Sequence, residues 1–116
     1  MKIGDVKIYE LTPDVLSYYK KNVKGNQGIS EGQATLKLSR NIKLAKWLNY
    51  DFTKVTSTYV YGNMKITVRG NKVIALHNSM ENAQKDWQCD KKEYQRINKL
   101  LGIADDKFKK ATSRKR

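Results

Sequence analysis

Residues 55–78, VTSTYVYGNMKITVRGNKVIALHN, decide the fold. Three runs rich in β-branched and aromatic residues, 55–61, 64–69 and 72–78, are joined by two identical links, Gly62-Asn63 and Gly70-Asn71. A Gly-Asn pair between such runs suits the tight turns with positive φ that connect hairpin strands. The segment therefore reads as a three-stranded antiparallel meander. Such short turns also set the register, because the residues flanking each turn must stand opposite one another. Tyr61 then faces Met64, Tyr59 faces Ile66, Val68 faces Val73, Ile66 faces Ala75 and Met64 faces His77. This register predicts a core face of Tyr59, Tyr61, Met64, Ile66, Val68, Val73, Ala75 and His77. Thr56, Thr58, Val60, Lys65, Thr67, Arg69, Lys72, Ile74 and Leu76 fall on the opposite face.

The flanking segments supply helices to cover the core face. Ser30 and Gln33 form a capping box, and Leu38, Ile42, Ala45 and Leu48 make one apolar stripe at helical spacing, predicting a helix over 31–49. After the meander, Asp90 and Glu93 repeat the capping pattern. Tyr94, Ile97, Leu100 and Leu101 give an inward stripe, and Gly102 is placed to end that helix. Residues 79–89 read as an earlier helical piece carrying Trp87. Near the N-terminus, residues 2–11 read as a strand. Thr12-Pro13 then starts a helix over 13–22, because Thr caps and Pro suits the first helical position. The expected class is α+β: a three-stranded meander with helices packed on one face, plus an N-terminal strand and helix. The expected organisation is one domain over 1–104 and a basic, disordered tail over 105–116. In its order helix, three strands, helix over 31–101 the chain is similar to double-stranded-RNA-binding domains. That likeness is one of topology, and no functional residue is carried over from it.

Composition bounds the partner more tightly than the reaction. The 116 residues carry 24 Lys and Arg against 11 Asp and Glu, a formal charge of +13. Residues 31–80 hold eight basic and two acidic residues, and the last ten hold six basic and none acidic. Between them, residues 81–106 are nearly neutral, with five basic and six acidic residues. Such self-repulsion destabilises a compact chain, so a polyanionic partner is the natural reading. The lone Cys89 excludes an intramolecular disulfide and suits a reducing compartment. No apolar run approaches the roughly 18 residues of a membrane span, and the N-terminus lacks a signal-peptide apolar stretch. A cytoplasmic protein is expected. Small size, Lys in preference to Arg, and nine Asn suit an AT-rich phage or mobile element.

Three basic groups are candidates for phosphate contact. Lys65, Arg69 and Lys72 share the non-core sheet face with Thr58 and Thr67, which can donate hydrogen bonds. Lys37, Arg40, Lys43 and Lys46 form a cationic side of the long helix. Lys107, Lys109, Lys110, Arg114, Lys115 and Arg116 resemble a nucleic-acid-binding arm. The leading expectation is a small non-enzymatic nucleic-acid-binding protein, with DNA slightly favoured over RNA. The alternative is a small, toxin-like ribonuclease with His77 as general acid or base, together with Tyr61 and a nearby cation. As the only histidine, on the predicted core face, His77 is otherwise a core residue. A third reading is an interaction module for an acidic protein. One His, one Cys and scattered carboxylates give no zinc spacing, and the pairs Asp86/Asp90 and Asp105/Asp106 sit in helix-like polar sequence. No metal, cofactor or membrane partner is expected. Trp47 and Trp87 read as partial core residues.

Overall fold

The computed structural model describes residues 1–23 and 25–103, so the predicted tail from 105 onward lies outside the described residues. The meander forms as expected, with β5 (Thr56–Tyr61), β6 (Met64–Arg69) and β7 (Lys72–Asn78). Gly62 and Gly70 both take φ of 60°, as the first central position of a type II′ turn requires. Tyr61 pairs with Met64 and Tyr59 with Ile66, in the expected register.

The second hairpin departs from its expected register after two pairs, Arg69 with Lys72 and Val68 with Val73. Val68 pairs with Val73, but Thr67 pairs with Ala75, so Ile74 is an extra residue in a β-bulge. The bulge turns every later residue of β7 to the other face. Leu76, not Ala75, stands opposite Ile66 and packs on the core, while His77 stands opposite Lys65 and is exposed. The placement of His77 and Ala75 on the core face is thus corrected. Burial of Leu76 drives the change, because only a bulge lets Val73 and Leu76, three residues apart, share one face.

Two strands join the meander. The predicted long helix ends early: α2 spans Glu31–Leu44, and residues 46–51 form β4 (Lys46–Asp51), antiparallel to β5. Ala45 turns extended at φ −73°, ψ 162°, and the Trp87 indole N–H donates to the carbonyl of Leu44 at the helix end at 3.1 Å. That bond satisfies one of the carbonyls a helix end leaves without a partner. The predicted N-terminal strand is broken at Gly4, whose φ of 59° folds β1 (Lys2–Ile3) back on β2 (Val6–Lys7). Only β3 (Glu10–Leu11) reaches the sheet, pairing parallel to β7. The strand order is β3-β7-β6-β5-β4.

Helix α1 (Pro13–Asn22), capped by Thr12, and α2, capped by Ser30, cover the inner sheet face. Tyr9, Val15, Tyr19, Ala34, Leu38, Ile42, Met64, Ile66, Val68 and Val73 form this core. Helix α3 (Lys91–Leu101) begins at Asp90, whose carboxylate accepts from the N–H groups of Lys92 and Glu93, and ends at Gly102. It packs on α2 and the N-terminal ribbon rather than on the sheet, through a second cluster of Val6, Ile8, Ile97 and Leu101. With β4 added and α3 displaced, the topological likeness to double-stranded-RNA-binding domains does not hold. Residues 79–89 form a single 3-10 turn, Met80–Asn82, rather than a longer helix, and wrap the end of the sheet. Among the described residues no helix is long and apolar enough to cross a membrane.

The ribbon is also tied to α3 by charge. Arg96 donates to both carboxylate oxygens of Asp5 at 3.2 and 2.9 Å and to Glu93 at 2.8 and 3.0 Å. Hydrogen bonding to the Arg96 guanidinium holds the Asp5 and Glu93 carboxyls below their usual range. Carboxyls depressed in the folded state lend stability at neutral pH and lose it as pH falls. Acidification below about pH 4 should therefore speed amide exchange in residues 2–8 before it affects β5 and β6. Between pH 6 and 8 exchange in the ribbon, corrected for intrinsic rates, should not change.

Candidate nucleic-acid interface

Among the described residues no helix covers the outer face of the sheet, and its pairings arrange the side chains in three rows. At one end Lys72 stands opposite Arg69 and beside Glu10 of β3. The middle row is Ala75, Thr67, Thr58 and Asn49, small and uncharged throughout. At the other end His77, Lys65, Val60 and Lys46 are neighbours. Lys65, Arg69 and Lys72 share this face as expected, but not as one cluster. Lys65 and Arg69 stand four positions apart on β6, which at the rise of an extended strand is about 13 Å.

The end near Arg69 gathers the most positive charge. Arg69 Nε donates to the Lys54 carbonyl at 3.2 Å, and Lys7 Nζ donates to the Gly70 carbonyl at 3.2 Å. Lys7, Lys54, Arg69 and Lys72 are all exposed there. Asp51, on the same side, is engaged locally, with Oδ1 accepting from the N–H groups of Thr53 and Lys54. At the opposite end Lys46 is largely neutralised: its ammonium lies 2.7 Å from both carboxylate oxygens of Asp86. That contact holds the Asp86 carboxyl below its usual range. Lys65 and His77 remain the exposed groups of this row.

His77 Nδ1 lies 3.3 Å from the Asn82 amide nitrogen, which also donates to the carbonyls of Asn63 at 3.0 Å and His77 at 2.9 Å. Tyr61, its expected catalytic companion, is on the other face. Its hydroxyl lies 3.7 Å from Cys89 Sγ, its ring meets Trp87 edge-on, and burial pushes its pKa above the usual tyrosine range.

The cationic side expected on α2 does not form. Lys46 belongs to β4, Lys43 pairs with Asp5 at 3.7 Å, and Lys37 donates to Asn26 at 3.0 Å. Arg40 is only 6% exposed. Its guanidinium donates to Asn41 at 3.0 Å and Asn98 at 2.9 Å and lies 4.6 Å from the centre of the Tyr94 ring. A buried cation is tolerated only when such partners replace water, and here amide oxygens and a ring face do so. Of the carboxylates considered for a metal, Asp86 pairs with Lys46 and Asp90 caps α3. Trp47, expected in the core, is exposed, whereas Trp87 is half-buried. Lys107, Lys109, Lys110, Arg114, Lys115 and Arg116 lie outside the described residues. Sequence reasoning missed Lys54, Tyr50 and Phe52, because the turn they flank exists only once β4 is recognised.

Among the described residues, fold and surface define a small α+β protein with a cationic face, uncovered by helix, on a mixed five-stranded sheet. The chain belongs to the YorE family, whose model matches residues 9–100. It is 37% identical over 117 residues to the SPbeta prophage-derived uncharacterized protein YorE of Bacillus subtilis (strain 168), covering 96% of this chain and 95% of that protein. The prophage origin of that relative accords with the phage or mobile-element source suggested by composition. No solved structure matches.

If Arg40 is a structural residue, Arg40→Met should lower stability by about 2–4 kcal/mol, because two buried amide oxygens lose their donor. Thermal unfolding reads that loss. Polynucleotide affinity below the transition should stay within twofold of wild type; a larger fall would return Arg40 to the interface.

Proposed function

We propose that the protein binds nucleic acid without catalysis, holding phosphates on the outer face of its sheet. The observation that carries this reading is the open face itself. Two ends bearing Arg69 with Lys72 and Lys65 with His77 flank a row of Thr58, Thr67 and Asn49. Cations at both ends can engage successive phosphates, while the hydroxyls and the amide between them contact sugars or base edges. The formal charge of +13 supplies long-range attraction, and the basic C-terminal residues can serve as an accessory arm. Both DNA and RNA fit this chemistry. A reducing cytoplasm suits the single Cys89.

Fluorescence anisotropy with labelled DNA and RNA over a salt series tests the proposal. Affinity should fall linearly with salt on logarithmic axes, by close to one unit of slope per phosphate neutralised. Arg69→Gln combined with Lys72→Gln should weaken binding and reduce that slope by about one to two. Absence of binding at low salt, or an unchanged slope in the variant, would remove the sheet face from the reading.

A second reading has one observation in its favour: His77 is exposed opposite Lys65, so a phosphodiester held there meets both an imidazole and an ammonium group. A ribonuclease of this kind should cleave RNA with an activity lost in His77→Ala. Intact RNA after incubation with the wild type, or cleavage that survives the substitution, ends that reading.

A further inference from the structure

We propose that the β4–β5 hairpin is a base-stacking element that directs this protein to unpaired nucleotides; the inference rests on the nucleic-acid binding proposed above. Trp47, Tyr50 and Phe52 are the only exposed aromatic residues among those described, at 56%, 38% and 86% exposure, and all three lie on one stretch of β4 and its turn. The strand is an open edge of the sheet. Trp47 pairs with Tyr59 and Tyr50 with Ser57, with Leu48 as an extra residue between them. In a regular strand residues 47 and 50 would point to opposite faces; the bulge at Leu48 places them on one. Phe52 continues the row, its ring meeting that of Tyr50 edge-on with centroids 4.9 Å apart.

The turn that displays Phe52 is held in shape. Asp51 Oδ1 accepts from Thr53 N–H at 2.9 Å and Lys54 N–H at 3.1 Å, and Arg69 clasps the Lys54 carbonyl. Val55 sits at φ 57°, a left-handed conformation unfavourable for a β-branched residue, and is 54% exposed. The structure therefore keeps Phe52 and Val55 in water on an ordered, strained turn, with exposed Lys54 and Arg69 beside them. Strain of this kind concentrates at functional sites. By its partner Ser57, Tyr50 lies on the inner-face side of the edge strand and Arg69 on the outer, so a nucleotide wrapped around this edge would meet a ring with its base and the cations of the turn with its phosphate. A duplex keeps its bases stacked on one another, so only an unpaired base offers that face. The charge of the chain favours a polyanion over a second cationic copy on this edge.

Anisotropy measured with one labelled strand, alone and annealed to its complement, at a single salt concentration provides the test. The wild type should prefer the single strand. Phe52→Ala should lower the ratio of single-strand to duplex affinity about tenfold, with Phe52→Trp restoring it. Because Phe52 is so exposed, its variants should unfold at the wild-type temperature, and Tyr50→Ala gives an independent reading. An unchanged ratio in both Ala variants, with salt-dependent binding intact, would overturn the stacking role and leave the phosphate reading standing. Failure to bind any polynucleotide would remove both. A wild-type dimer in sedimentation that Phe52→Ala converts to monomer would instead assign the hairpin to a second copy.

Discussion

Helix α2 must bury apolar side chains in two directions, and that demand places the other elements. Ala34, Leu38 and Ile42 face the sheet and α1, whereas Leu36 and Leu44 contact the cluster formed by α3 and the N-terminal ribbon. Full burial of Leu38 alone is worth about 2–3 kcal/mol of transfer free energy. A helix covered on both sides has little perimeter left for charge, which is why Arg40 lies inside. Its contacts with Asn41, Asn98 and Tyr94 follow from that confinement. The arrangement is not free of cost: Asn98 offers its oxygen to Arg40 but finds no partner for its buried amide nitrogen among the described residues.

Among the described residues all three helices lie on the inner side of the sheet, so no helix covers the outer face, where Val60 and Thr56 are nonetheless buried. An antiparallel sheet tolerates water on one face when its strands alternate, and β6 does so strictly, with Met64, Ile66 and Val68 buried and Lys65 and Arg69 exposed. The exposed face is therefore where cations can collect without desolvation. Acidic residues are instead spent on internal ties: Asp5 and Glu93 on Arg96, Asp86 on Lys46, Asp51 on its own turn and Asp90 on the start of α3.

The parts of this architecture legible in the sequence are those set by local chemistry. The Gly-Asn turns, the three helix caps at Thr12, Ser30 and Asp90, and the stop at Gly102 depend on neighbours a few residues away. What was not legible required tertiary information. Ala45 and Leu48 continue the helical spacing of α2, yet residues 46–51 include Trp47 and Tyr50, which suit a strand, and pairing with β5 overrides the periodicity. Arg40 reads as a surface charge because no acid from Gln33 to Tyr50 offers it a partner; its partners come from α3 and from the adjacent Asn41.

Two bulges carry this argument furthest. Ile74 is extra in β7 and Leu48 is extra in β4, and each re-aims the residues beyond it. The first brings Leu76 into the core and sends His77 out beside Lys65; the second sets Trp47 and Tyr50 on a common side of the edge strand. Regular pairing would have buried the only histidine and split the aromatic row between two faces. Bulges disrupt a ladder of hydrogen bonds and are retained where they reposition side chains. Core packing explains the bulge at Ile74, since it admits Leu76. No comparable gain in burial accompanies the bulge at Leu48, which leaves Trp47 and Tyr50 exposed. Its effect is confined to the surface, and the explanation for it must be sought in what that surface meets.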